Sequence, residues 1–429
     1  MRSSTHGDSE RLHRTCVNKN VEAAPFAQYY TKELRAYAAM RKAKEIMRKD
    51  AVSQIYQLVR SGRATTQRDI EAATGLSRGT ATHRISQLVA AGLLIEGPPE
   101  ASNGGRPARC YLVNPTYRNV VGVDLGERRA RACLFDLAGG LLDQRDFALD
   151  LRNPGQVLDL IAEAVTALQG SALRSAPIAA LGLSVPAPLD VTSGRVAMPS
   201  VMYGWEHLEI RAALGGRIGL PVAVDNDVNL LCLAEHRLNW PDCRNFAFVK
   251  IGTGIGCGIM IGGRLLRGAS GTAGDLGHIQ HGLQPAPLCR CGKSGCTEAH
   301  AGGWALARDL RALGFDCHDA RDVMALWLRG QPQALAALNR ASRVLGKVTA
   351  DLVAMVNPQV LVIGGQLSRA GEAMLAGVRE LIYQRCLPLA THQLEIALAS
   401  QPEDLGVRGA AYLATDHIDV QRGGDHAGR

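Results

Sequence analysis

An apolar strand, a tight glycine turn and a second apolar strand occur twice in this chain. The first copy is Val120-Val-Gly-Val-Asp-Leu-Gly126 followed by Ala130-Arg-Ala-Cys-Leu-Phe-Asp136, with another strand from Leu141 onward. The second is Phe246-Ala-Phe-Val-Lys-Ile-Gly-Thr-Gly-Ile-Gly-Cys-Gly-Ile-Met-Ile-Gly-Gly263. Runs rich in β-branched and aromatic residues, bounded by glycine, read as strands. Further strands at Ala179–Val185 and Gln359–Gly364 are separated by helical patterns. A duplicated opening of this kind predicts two similar α/β lobes facing a cleft, with the boundary near residue 225.

That body accounts for residues 118–416, and the charge distribution sets the remainder apart. The net charge of the 429 residues is +8, but residues 1–120 hold 19 Lys and Arg against 10 Asp and Glu, and the remaining residues hold 29 against 30. The whole positive excess lies in the N-terminal quarter, the pattern of a polyanion-binding module on a neutral body. A hydrophobic content of 46% with 21% charged residues excludes disorder throughout. No apolar run reaches the roughly eighteen residues needed to span a bilayer, and Met1-Arg-Ser-Ser-Thr-His-Gly-Asp8 lacks the apolar core of a secretory signal. A cytoplasmic, nucleoid-associated protein without membrane insertion is expected. Eleven cysteines, mostly scattered, point to reduced thiols rather than a disulfide scaffold.

Residues 1–45 are polar and basic and are expected to form a mobile arm, with a winged helix-turn-helix over 46–117. Ile46, Ile55, Leu58 and Val59 mark one helix, stopped by Gly62. The next helix starts at a Thr65 or Thr66 cap, buries Ile70 and Ala73, and ends at Gly75. Ser77 caps a third, whose inner stripe is Ala81, Ile85, Leu88 and Val89. Its outer face carries Arg78, Thr80, Thr82, His83 and Arg84, which with Ser77 are the candidates to touch DNA. Gly92-Leu-Leu-Ile-Glu96 and Cys110-Tyr-Leu-Val113 form a hairpin wing whose tip, Gly104-Gly-Arg-Pro-Ala-Arg109, offers Arg106 and Arg109; a guanidinium suits the negative potential of a narrow minor groove. An ordinary three-helix bundle with a solvated face has the same pattern; the wing and the charge favour DNA.

Three blocks in the body carry chemistry. In Gly252-Thr-Gly-Ile-Gly256, Gly252, Gly254 and Gly256 expose backbone N–H groups and Thr253 adds a hydroxyl, a set able to hold phosphate; a glycine-rich hairpin turn looks the same. Asn226 and Asp227 follow a short strand and project an amide and a carboxylate toward vicinal hydroxyls of a pyranose, or else cap the helix over 228–239. Cys289, Cys291 and Cys296, with His278 eleven residues upstream, supply three thiolates and an imidazole, a closed tetrahedral set for structural zinc. Free thiols packed in a loop are the alternative, and His281 is a competing nitrogen.

Together these blocks resemble the ROK family (repressors, open reading frames and kinases), whose body has the actin/hexokinase-like (ribonuclease H-like) fold. The match runs in order through Val123-Asp-Leu-Gly126, Val224-Asp-Asn-Asp-Val-Asn229 with Glu235, Gly252–Gly256, Gly268-Ala-Ser-Gly-Thr-Ala-Gly-Asp-Leu-Gly-His278 and Cys289-Arg-Cys-Gly-Lys-Ser-Gly-Cys-Thr-Glu298. The arrangement as a whole is similar to regulators of the xylose-repressor and N-acetylglucosamine-repressor type. The resemblance implies that Asn226, Asp227, Asp275, His278 and Glu298 contact a sugar, that Asp227 matches the kinases' general base, and that His278 rather than His281 is the zinc ligand. It also implies a C-terminal helix returning to the first lobe, which would leave 417–429 as a tail. Asp275 stands one methylene short of the family's usual Glu.

Two departures separate the chain from the family's kinases. Where those open with Asp-x-Gly-Gly-Thr-Lys, this chain has Asp124-Leu-Gly-Glu-Arg-Arg129, so Glu127 places a carboxylate where a polyphosphate would approach. Where they carry Pro-Gly-Pro, it has Val185-Pro-Ala-Pro188. The resemblance therefore implies a sugar-responsive transcriptional repressor, without ATP and not an enzyme. It would bind double-stranded operator DNA as a homodimer or homotetramer, with a sugar or sugar phosphate in the cleft. A sugar-transport-system protein as partner, and an ATP-dependent sugar kinase with an appended DNA-binding domain, are the competing readings.

Overall fold

A computed structural model describes residues 51–98, 108–170, 176–190, 193–197, 202–400 and 403–425. The expected basic arm and Arg106 lie outside the described residues.

The chain opens with three helices, α1 (51–60), α2 (Gln67–Thr74) and α3 (Arg78–Ala90), and a hairpin of β1 (Leu94–Glu96) and β2 (Tyr111–Val113) paired antiparallel. Thr66 is the cap of α2, in a capping box with Asp69, and Ser77 caps α3. Ile55, Tyr56, Val59, Ile70, Ile85, Leu88 and Leu94 form the core of this head. Ala73, expected inside, is exposed, because α2 is only two turns long and turns one narrow stripe, centred on Ile70, to the core.

The first lobe contains β3 (Asn119–Leu125), β4 (Arg129–Asp136), β5 (Leu141–Ala148), α4 (Pro154–Gly170), β6 (Ile178–Val185), α5 (Ile210–Ile218) and β7 (Val222–Asn226). Helix α6 (Asp227–Asn239) leads to the second, with β8 (Phe246–Ile251), β9 (Ile255–Ile261), β10 (Arg264–Leu265), α7 (Thr297–Ala301), α8 (Gly303–Ala312), α9 (Ala320–Leu328), α10 (Pro332–Val356), β11 (Val360–Gly364), α11 (Glu372–Arg385), α12 (Pro388–Thr391) and β12 (Glu395–Leu398). Helix α13 (Leu405–Asp425) closes the described chain.

The strand orders are β5-β4-β3-β6-β7 and β10-β9-β8-β11-β12. In each sheet the first three strands in sequence form an antiparallel meander and the last two pair parallel to its first strand and to each other. The duplicated strand–turn–strand openings are thus equivalent pieces of two equivalent sheets, as the actin/hexokinase-like fold requires.

Residues of alternate parity on β3 face different layers. Val121, Val123 and Leu125 pack with Leu158, Ile161, Val165 and Leu214 of α4 and α5, while Val120 joins the head core together with Phe135, Val407, Ala411 and Ala414. Head and body therefore share one apolar cluster, with α13 between them. This helix crosses the first-lobe sheet at glycines: a Cβ on Gly122 would overlap the carbonyl oxygen of Val407, and one on Gly182 that of Ala410. The helix continues to Asp425, past residue 416 where the sequence reading ended the body, since its apolar stripe of Val407, Ala410, Ala411, Ala414 and Ile418 meets no breaker there. Among the described residues no helix is long and apolar enough to cross a membrane.

Candidate functional site

The lobes enclose a cleft of about 590 Å³, within the range of small-molecule sites. Its walls include Asp124 and Glu127 from the first lobe, Asn226 and Asp227 at the start of α6, and Lys250, Thr253, Asp275, His278, Arg290 and Glu298 from the second. Every expected sugar and phosphate contact, Gly252, Gly254 and Gly256 included, lines this one space.

Asn226 caps α6: its side-chain oxygen accepts from Val228 N–H at 3.0 Å, while its amide donates to the Ala187 carbonyl at 3.1 Å. The capping role is thus real, and each polar atom keeps one valence for a ligand. Ala187 has no left-handed backbone, so alanine is at ease in the Pro-Ala-Pro loop. Asp225, just behind the cleft wall, is buried; it accepts from Asn229 and pairs with Arg267, Nε at 2.8 Å, across the lobe boundary.

Asp227 forms an ion pair with Lys250 of β8, missed from sequence. Burial alone would lower the Lys250 ammonium, but Asp227, then Asp124 and Glu127, outweigh it and hold it above its ordinary value. Asp124 accepts from Ser184 Oγ at 2.5 Å; burial, reinforced by the Asp227 charge, pushes its carboxyl up against that hydrogen bond.

Gly252-Thr-Gly254 is the hairpin turn between β8 and β9, with Gly252 N–H donating to the Gly254 carbonyl at 3.0 Å. Ile255 N–H is also engaged, by Glu298 Oε2 at 3.0 Å. The other Glu298 oxygen accepts from Trp304 Nε1 at 2.9 Å and Arg290 Nη2 at 3.2 Å. Arg290 reaches Glu127 as well, at 3.6 Å, so one guanidinium stacked on Trp304 links both walls of the cleft. Asp275 is pushed up by desolvation in the cleft, with Glu298 adding and His278 opposing.

Ligand atoms of His278, Cys289, Cys291 and Cys296 all lie within 4.8 Å of one another. His278 Nδ1 is 3.6 Å from Cys289 Sγ, and Cys291 Sγ is 3.7 Å from Cys296 Sγ. A tetrahedron with bonds of ~2.3 Å has edges of about 3.8 Å, so the donor set fits a zinc ion. Positive φ angles of 85° at Gly292 and 77° at Gly295 fold the loop onto its sulfurs. Burial first, then the neighbouring thiols, push Cys296 up to about 12; a bound divalent cation reverses such a shift. His281 stands apart from the group, facing Asp351 at 3.8 Å.

On the head, Ser77, Arg78, Thr80, Thr82 and His83 are exposed along α3, with Arg84 half-buried. Several of these also serve the fold: Ser77 bonds Thr80, Thr82 accepts from Gln67 of α2 at 2.8 Å, and Arg84 donates to Gln87 at 2.8 Å. Arg109 is paired with Glu96 across the hairpin at 3.0 Å.

A model of the ROK family matches residues 120–417. A putative xylose repressor from Caldicellulosiruptor sp. strain Rt8B.4 is 27% identical over 378 residues, 84% of this chain and 94% of that protein. An N-acetylmannosamine kinase from Citrobacter koseri is 31% identical over 297 residues, 69% of this chain and 98% of that one. A solved ROK family transcriptional regulator, a homolog of the E. coli MLC protein, shares the fold with a TM-score of 0.74 at 24% identity, covering 87% of this chain and 97% of its own. The duplicated sheets, the cleft residues and the family match over most of the chain make this protein a member of the ROK family.

Proposed function

We propose that the protein is a sugar-responsive transcriptional repressor whose head is a winged helix-turn-helix. The observation that carries this reading is the difference in reach of its relatives: the kinase aligns with 69% of the chain, about the length of the body, and the xylose repressor with 84%. In this reading α3 enters the major groove with Arg78, Thr80, Thr82, His83 and Arg84 toward the bases and phosphates, and Arg106 and Arg109 belong to the wing. A symmetric dimer or tetramer reads two half-sites in the cytoplasm, and a transport-system protein is the second input.

A sugar or sugar phosphate occupies the cleft against Asn226, Asp227, Asp275, His278 and Glu298, and zinc held by His278, Cys289, Cys291 and Cys296 shapes that wall. Phosphoryl transfer is disfavoured on two counts. A proton taken by Asp227 would break its pair with Lys250 and leave the ammonium to the Asp124 and Glu127 charges alone. Glu127, tied to Arg290, occupies the approach of a polyphosphate, and two of the turn amides already have acceptors.

The test combines gel shifts with an ADP-release assay. A duplex selected from a random library should be bound by the full chain, and Arg78→Ala or Arg106→Ala should weaken binding about ten-fold or more, with a shallower salt dependence. Unchanged binding would remove the DNA assignment. Sugar-dependent ADP release that Asp227→Asn abolishes would make the protein a kinase instead.

A further inference from the structure

Helix α6 begins in the cleft and ends at the head. Its N-terminal end is fastened on several sides: Asp227 to Lys250 of the second lobe, Asn226 to Ala187 of the first, and the preceding Asp225 to Arg267. A ligand that draws Asp227 away from Lys250 changes the ties at this end of the helix, and such a ligand makes occupied and empty clefts differ there. Thirteen helical residues make a stiff rod of about 20 Å. Its first turn packs backbone to backbone on α13, where a Cβ on Gly409 would overlap the Leu230 carbonyl of α6.

At the far end, Arg237 Nη2 donates to Asp416 Oδ2 at 2.7 Å, and the other oxygen of the same carboxylate accepts from Gln57 Nε2 of α1 at 3.1 Å. One turn earlier on α13, the Tyr412 ring lies between the guanidinium of Arg60, at 4.7 Å, and that of Arg237, at 5.1 Å. Two residues of α13 thus each hold one group from the head and one from the body. The remaining contact between them is mostly the apolar cluster of Ile55, Val59, Val407, Ala411 and Ala414, which is non-directional and permits rotation. Arg63 also pairs with Asp242 at 2.8 Å, but both are exposed and such pairs contribute little. The directional ties at Asp416, whose carboxylate Arg60 Nη1 also approaches to 3.9 Å, together with the Tyr412 sandwich, are therefore what set the angle of the head.

We propose that Asp416 is a positioning residue that transmits ligand seating at the start of α6 to the DNA-binding head, by holding Arg237 on one carboxylate oxygen and Gln57 on the other. This rests on the repressor reading above and names the route by which the cleft acts.

The experiment uses the full chain, a duplex selected by it from a random library, and xylose, glucose, N-acetylmannosamine and their phosphates as probes. In the wild type at least one probe should change duplex affinity by about ten-fold. In Asp416→Ala the same probe should bind as tightly, measured by calorimetry without DNA, while its effect on duplex affinity falls below about two-fold. Gln57→Ala combined with Arg60→Ala, which removes both head-side partners of Asp416 and leaves its bond to Arg237, should show the same loss, so an unfolded Asp416→Ala protein leaves the test in force. A full response in a folded Asp416→Ala protein, or in the folded double variant, overturns the proposal alone. A wild type that responds to none of the probes overturns the repressor reading and the proposal with it. Loss of probe binding in Asp416→Ala also overturns it, since the residue would then shape the cleft rather than report on it.

Discussion

Breaking the Lys250–Asp227 pair from one side leaves a charge in a largely enclosed wall of the cleft. Lys250→Met should therefore lower the unfolding free energy by about 1–3 kcal/mol in urea titrations. Adding Asp227→Asn should restore most of it, and strictly additive losses would show that the two side chains act independently. The pair was illegible in sequence because a lysine within an apolar strand reads as an ordinary outward-facing residue, and its partner lies at the start of a different element. Cys289, Cys291 and Cys296 were legible because spacing and two turn-forming glycines confine the sulfurs locally, whereas the fourth donor, His278, was placed by resemblance. Native mass spectrometry should find about one zinc per chain, lost in Cys291→Ser along with several degrees of thermal stability. A wild type that carries no metal, and that chelator leaves unchanged in melting, would leave the cluster as packed thiols.

Among the elements, α13 is the most demanding to place. Its contact with the first-lobe sheet runs backbone to backbone at Gly122 and Gly182, so Gly182→Ala should cost at least about 1–3 kcal/mol by forcing the helix off the strands. The control is Gly216, exposed in α5 with nothing near its missing Cβ, where alanine should add about 0.5–1 kcal/mol. Equal melting shifts in the two variants would contradict the packing. The strands of both sheets were readable from apolar runs between glycine turns. The reach of α13 was not, since a helix that docks through small residues carries only a thin apolar stripe and no cap at residue 416 marks an end.

At the scale of the molecule, head and body share an apolar cluster in which Ile55 and Tyr56 lie with Val120, Phe135 and Val407. Calorimetry on the full chain should show the head melting together with the first lobe, not in a separate early transition. A low-temperature transition removed by deleting residues before 118 would show the head to be an independent unit. The two-lobed body followed from duplication in the sequence; the fusion of head and body did not, because periodicity reveals which face is apolar but not which partner covers it.

The placement of α13 also imposes an order on synthesis. The head is translated first, yet Val407, Ala411 and Ala414, which complete its core, emerge roughly 300 residues later, on the order of 15–60 s at ordinary elongation rates. Through that interval the underside of the reading head has no lid, and a nascent chain stalled before α13 would present a basic, half-covered domain to the cell. The core beneath the head is complete only when α13 has been made.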